Sequence, residues 1–316
     1  MHIPDGYLSP ATCAATYAVS AAFAAYASKK VAKELDEKKI PLIAVASAFS
    51  FVIMMFNIPI PGGTTGHAVG GSLIAILLGP WAAMLAVSLA LIVQALLFGD
   101  GGVTTFGANV LTMGVIMPFV GYSFYRLISG DGTSMKRKLA GSFIGSYMGI
   151  NVAALAASVL LGIQPYIARD PRGLPLYSPF PLKVTVPVMT LQHIFFFGFV
   201  EGFITLLVLK YLLSMNFQTD VQPWMSRKLG LGVACLALIS PLGLIIPAYC
   251  KAGGAWGEGG GGGFWKAPFP DYAVPFGPNS GLAWQSFWYA VCGLLGVLFI
   301  YGVLTAARAV KQKSDG

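Results

Sequence analysis

The chain has 316 residues, of which 56% are hydrophobic and only 10% charged, with a formal net charge of +8. Soluble domains carry about 25% charged residues, so the composition excludes an ordinary soluble enzyme and points to a polytopic membrane protein. In that class an excess of Lys and Arg reports orientation rather than nucleic-acid binding. The four cysteines, Cys13, Cys235, Cys250 and Cys292, form no CxxC pair and read as small packing residues. A Cys250–Cys292 bridge is the alternative if both reach an oxidising face.

The chain opens "MHIPDGYLSP". A signal peptide places basic residues before its apolar core. Here the first basic residue, Lys29, follows the apolar run, so the terminus is expected to be retained. Pro4-Asp5-Gly6 reads as a tight turn with Pro4 at its first corner. Ser9-Pro10 reads as helix N-cap and first helical position. The terminus is therefore expected to turn back over the start of the first span. An X-His terminus can offer one metal three nitrogens: the amine of Met1, the amide nitrogen of His2 and the imidazole Nδ1 of His2. A fourth nitrogen would complete a square, a geometry that suits Ni(II) or Cu(II). Deprotonating the amide adds negative charge and lowers the cost of burying a dication.

Apolar stretches follow at about 10–28, 41–58, 67–79, 81–98, 105–126, 139–163, 186–213, 230–249 and 284–307. The first carries Ala14, Ala18 and Ala22 at helical spacing, and the second Ala44 and Ala48. Such stripes let helices approach closely, either within the chain or against a partner. Gly79-Pro80 interrupts the run from His67 to Phe98, which is either one kinked helix or two. Charge decides. With nine spans and the N-terminus outside, fifteen of the twenty Lys and Arg fall inside. A single span over 67–98 would put Arg126 and Lys136–Lys138 outside, against the positive-inside rule. Two short helices meeting at Gly79-Pro80 are therefore expected. The external segments are then 59–66, 164–185 and the Gly- and aromatic-rich 251–283. The inside segment 216–229 divides a seven-span domain, 1–215, from a two-span module, 230–316, with the C-terminus inside.

Three histidines occur: His2, His67 and His193. Ionisable groups within membrane segments are costly and tend to be functional. His67, in "PIPGGTTGHAVGG", starts a span on the same face as the N-terminus and can supply the fourth nitrogen; a capping or packing role is the plainer alternative. His193 and Glu201 lie just over two helical turns apart, near one face. They read as a buried structural pair, with a proton path or support of the metal site as alternatives. No HExxH, GxSxG or Walker A sequence occurs, so neither hydrolase chemistry nor self-energised transport is expected.

"MHIPDGYLSP", "NIPIPGGTTGHAVGG" and "HIFFFGFVEGFITLLV" resemble the CbiM/NikM family, the membrane-embedded substrate-binding subunits of energy-coupling-factor transporters for cobalt and nickel. The resemblance runs through about residue 215. It implies that Met1, His2 and His67 hold the transported Ni²⁺ or Co²⁺ and that no catalytic cofactor is needed. It implies a multi-pass protein of a prokaryotic cytoplasmic membrane. It also implies partners: a transmembrane T subunit of CbiQ/NikQ type and ATP-binding subunits of CbiO/NikO type, with Ala44 and Ala48 as the matching T-subunit contact. The last two spans resemble the small N subunit, or its PDGLE-type relative, fused at the C-terminus, which favours nickel. They are expected to matter for transport more than for metal binding. A stand-alone secondary permease is the alternative reading, and His193 and Glu201 would be its ion path.

Overall fold

Apolar residues dominate the long runs, and each run folds as helix in the structure, a computed structural model that describes residues 1–34, 40–60, 64–215, 223–253, 265–274 and 281–314. The helices are α1 (Pro10–Glu34), α2 (Ile40–Met54), α3 (Gly71–Leu78), α4 (Pro80–Phe98), α5 (Phe106–Ser129), α6 (Met135–Ile167), α7 (Leu182–Ser214), α8 (Pro223–Ile239), α9 (Leu242–Tyr249) and α10 (Leu282–Ser314). Among the described residues six segments are long and apolar enough to cross a membrane: α4, α5, α6, α7, the stretch Arg227–Tyr249 and the stretch Leu282–Ala307. The protein is thus a mostly helical, multi-pass membrane protein. Part of the expected linker (216–222), Lys38 and Lys39, and residues 254–264 and 275–280 of the expected external segment 251–283 lie outside the described residues.

The run from His67 to Phe98 is two helices. Gly79 has φ 86 and ψ 156, a region that only glycine enters readily, and its N–H closes α3 on Ala75 O while Pro80 opens α4. With eight residues, α3 rises about 12 Å and falls well short of a ~30 Å hydrocarbon core. The segment before it departs from an all-α reading. Ile58–Ile60 pairs antiparallel with Thr64–Gly66, Ile58 opposite Gly66. Pro59 denies this stretch a helix, and the β-branched Ile58, Ile60, Thr64 and Thr65 suit a strand. The ribbon delivers His67 to the start of α3.

The two alanine stripes take opposite fates. On α1 the buried face is Thr12, Thr16 and Ser20, with Ser20 Oγ donating to Gly107 O at 2.7 Å, and Ala14, Ala18 and Ala22 face outward. On α2, Ala44 and Ala48 are 3% and 0% exposed, so the proposed partner stripe is already covered by the chain itself. α2 packs on α4, α8 and α10. Tyr289 of α10 donates to Met55 O at 2.7 Å, and Gly296 lets α10 close on the Phe51 ring. The C-terminal helices therefore dock on the first part of the chain. All four cysteines are free, with Cys250 exposed and Cys292 buried, so the alternative bridge is not formed.

Gly79 has open space where a Cβ would stand, so Gly79→Ala tests conformation alone. Thermal unfolding in detergent should show a loss of about 1–3 kcal/mol. Gly232→Ala, in the equally open and exposed interior of α8, should be neutral to stabilising. Equal effects at the two sites would refute the strained break.

Candidate metal centre

A chain terminus frays unless it is tied down, and this one is tied at every step. Ile3 is fully buried against Leu8, Ala108, Ala157 and Leu161. Its N–H donates to Asn109 Oδ1 at 2.8 Å, and its carbonyl accepts from Asn109 Nδ2 at 3.1 Å, Gly102 N at 3.0 Å and Thr105 Oγ1 at 2.5 Å. The Asp5 carboxylate accepts from the Thr104 N–H at 2.8 Å and hydroxyl at 2.5 Å. Ser9 N donates to Gln164 Oε1 at 2.9 Å, and Ser178 N donates to Tyr7 O at 3.1 Å. The bend falls on Asp5-Gly6, with Gly6 at φ 84, one residue later than the sequence suggests. Ser9 caps α1 as expected, its Oγ accepting from Thr12 N at 3.4 Å.

This clamp delivers Met1 and His2 to His67. The Met1 amine lies 3.5 Å from His67 Nε2, and the His2 and His67 rings stack with centroids 4.9 Å apart, 28° from parallel. His67 Nδ1 donates to Ala68 O at 3.0 Å, which leaves the lone pair on Nε2, facing the amine. Burial pushes the Met1 amine down to about 6, against the opposing pull of Asp100. Burial first, then the charges of the amine and of His2, hold His67 well below the ordinary histidine range. At neutral pH both nitrogens thus carry free lone pairs. Nitrogens bound cis to one metal at ~2.0 Å each stand ~2.8 Å apart, so a small contraction would let these two share an ion.

His2 departs from the expected pose. Its Nδ1 lies 3.0 Å from Asp100 Oδ1, and its Nε2 is buried without a hydrogen-bond partner. For Nδ1 to join an ion at Met1 and His67, the ring would have to turn away from Asp100. Asp100 is the residue that the sequence reading missed. It follows a π-helical turn, Gln94–Phe98, and the left-handed Gly99; π turns gather at functional sites. Its Oδ2 accepts from Tyr272 OH at 2.7 Å and from Gln94 Nε2 at 3.4 Å. Burial would raise its carboxyl, but the charge and hydrogen bond of His2, then His67 and Tyr272, hold it below the usual carboxylate range. Gly101, at φ 88, passes close to the His2 side chain. The signal that could have found Asp100 is its place between glycines at the end of an apolar run. Among the described residues no group of three or more His, Cys, Asp and Glu forms a metal cluster; a site here needs the amine and a backbone nitrogen.

The structure separates His193 from Glu201. The Glu201 carboxylate accepts from Val69 N at 2.8 Å and Gly70 N at 3.0 Å, fixing the backbone just after His67. His193 Nδ1 instead donates to Met189 O at 2.7 Å, one turn back in its own helix. Among the described residues no ion pair joins the two. Eight helical residues rise about 12 Å, so sharing a face of α7 does not bring the two side chains into contact; the π turn His193–Phe197 lies between them.

Residues 2–219 match the family described as the cobalt uptake substrate-specific transmembrane region. A fused nickel transport protein NikMN of Rhodobacter capsulatus is 40% identical over 99% of this chain and 100% of its own length. A probable fused nickel transport protein LarMN of Lactiplantibacillus plantarum is 46% identical over 82% of this chain and 77% of its own. A crystal structure described as a truncated transition metal transporter is 51% identical, with a TM-score of 0.64, and covers 68% of this chain and 99% of its own. With the family match over its first two thirds and a full-length alignment to a fused relative, the chain belongs to the CbiM family of nickel and cobalt transport proteins, in the form that carries a fused C-terminal N-type part.

Proposed function

We propose that this chain is the metal-capturing subunit of an ATP-driven importer for Ni²⁺, with Co²⁺ as the second cargo. The observation that carries the reading is the buried meeting of the Met1 amine, the His2 ring and His67 Nε2. The ligands are the Met1 amine, the amide nitrogen and Nδ1 of His2, and His67 Nε2. Nitrogen ligation favours Ni²⁺ over Mn²⁺ or Fe²⁺, and four nitrogens in a plane suit d⁸ nickel. Fused relatives named for nickel support that metal. Asp100 and Glu201 position His2 and the His67 loop. The ion enters from the outer face of a prokaryotic cytoplasmic membrane, the C-terminus lies inside, and residues 1–215 form the binding domain. Separate T-type and ATP-binding subunits drive transport. Since Ala44 and Ala48 are covered, the T subunit meets another surface or displaces the C-terminal helices. A permease would need Glu201 as part of its ion path, and that carboxylate is committed to the Val69 and Gly70 amides.

His67→Ala should abolish high-affinity Ni²⁺ binding in equilibrium titration of untagged protein, and so should one residue added before Met1, which turns the amine into an amide. Full affinity in either protein would refute the four-nitrogen site.

Metal and proton compete for the Met1 lone pair. With the amine at about 6, the pH dependence of Ni²⁺ affinity should steepen by one proton per ion as pH falls through about 6. An exposed amine would place that step near 8.

Purified chain alone in vesicles should bind Ni²⁺ without accumulating it. Uptake against a gradient without ATPase partners would favour the permease.

A further inference from the structure

Beside the metal centre lies a cavity of about 510 Å³ whose wall includes Met1, Thr64, Thr65, Ser178, Gln192 and His193. One water needs only about 15 Å³ of such space, so a hydrated divalent ion fits. Met1 is shared with the centre, and its amine is 3.5 Å from His67 Nε2. Thr64 and Thr65 belong to the strand that leads into His67. The His193 ring packs on Phe197 with centroids 5.3 Å apart, and Phe197 packs under Gly66. His193 therefore stands one side chain away from the His67 loop. Its Nδ1 is committed to Met189 O, which leaves the lone pair on Nε2, and no group among the described residues bonds that atom.

We propose that this cavity is the entry vestibule of the metal centre and that His193 Nε2 is the first protein ligand of the incoming Ni²⁺ or Co²⁺. The inference rests on the four-nitrogen reading and adds a way in. The step is a ligand exchange: one metal–water bond breaks, the water leaves into the cavity, and a metal–Nε2 bond forms without transfer of a proton or electron. The Thr64, Thr65 and Ser178 hydroxyls can hold the remaining waters. The Met1 amine then replaces a second water and draws the ion onto the terminal dipeptide. A single imidazole is strong enough to favour a transition metal and weak enough to release it, the balance that conduction between sites requires. No carboxylate is among the described residues that line the cavity, so Mg²⁺ and Ca²⁺, which need oxygen ligands, find no anchor there.

A group touched only on the way in lowers one barrier in both directions and leaves the end states unchanged. Stopped-flow mixing of full-length untagged protein with NiCl₂, and chelator chase for release, should show association and dissociation each slowed at least tenfold in His193→Ala and His193→Gln, with Kd unchanged within twofold. Val188 is on the cavity wall and 50% exposed, so Val188→Trp plugs the space without burdening the core and should slow both rates as well. Unchanged rates in the His193 variants would overturn the proposal. So would a weakened Kd with faster release, which would make His193 a support of the bound state. His67→Ala, measured alongside, separates the two readings: retained binding there refutes the four-nitrogen centre, whatever His193 does.

Discussion

Asn109 gives Ile3 both hydrogen bonds that a neighbouring strand would give, accepting from its N–H and donating to its carbonyl. The proposed centre depends on this clamp, because three of its four nitrogens sit on the two residues ahead of Ile3. Ordering a residue's backbone costs about 1–2 kcal/mol, and a free dipeptide has no core of its own to offset that. Here the offset comes from one buried isoleucine and the loop before α5, where the Gly102 and Thr104 amides and the Thr104 and Thr105 hydroxyls donate to Ile3 and Asp5. The loop can do so because Gly101 and Gly102 let its backbone approach within contact of His2 and Asp5.

The same burial sets the electrostatics. A dication in a poorly solvated interior is costly unless charge and ligation compensate it. The Met1 amine and His67 are held neutral by desolvation, so neither repels an arriving cation. In the proposed loaded centre the deprotonated His2 amide and the Asp100 carboxylate together balance the two positive charges. Asp100 then has two jobs: holding the His2 ring while the site is metal-free, and remaining as the counter-charge when the ring has turned.

What was legible in the sequence was local. The Ser9-Pro10 cap, the Gly79-Pro80 break and the histidine next to the terminus are each set by residues within a few positions of one another. The meeting of His67 with Met1 was also within reach, since both open spans on one face. Asp100, Asn109 and Tyr272 were not, because their partners lie about a hundred or more residues away and only the folded chain brings them together. His193 and Glu201 part for another reason: helical spacing reports a shared face, and eight residues still rise about 12 Å along it, while Glu201 finds its partners in the backbone after His67. The α2 stripe shows that small residues specify a close approach but not the identity of the neighbour.

The C-terminal part reaches further into this arrangement than a separate module would. The π turn at 94–98 loosens the regular helical ladder at the end of α4, and the segment 265–274 answers it directly: Trp265 Nε1 donates to Leu96 O at 2.9 Å and Phe269 N to Leu97 O at 3.0 Å. That docking stacks Tyr272 on Phe98, ring centroids 4.7 Å apart, and places its hydroxyl 2.7 Å from Asp100 Oδ2. One carboxylate thus joins His2 of the terminal dipeptide to a tyrosine of the fused segment. Binding and transport are then not cleanly divided between the two parts. Cutting away the last helices would also free the carbonyls of Leu96 and Leu97 and remove one of the hydrogen bonds that fix Asp100. The expectation that those helices serve transport more than binding therefore needs a narrower form: the helices can serve transport, while the strap 265–274 belongs to the surroundings of the proposed centre through Tyr272 and Asp100.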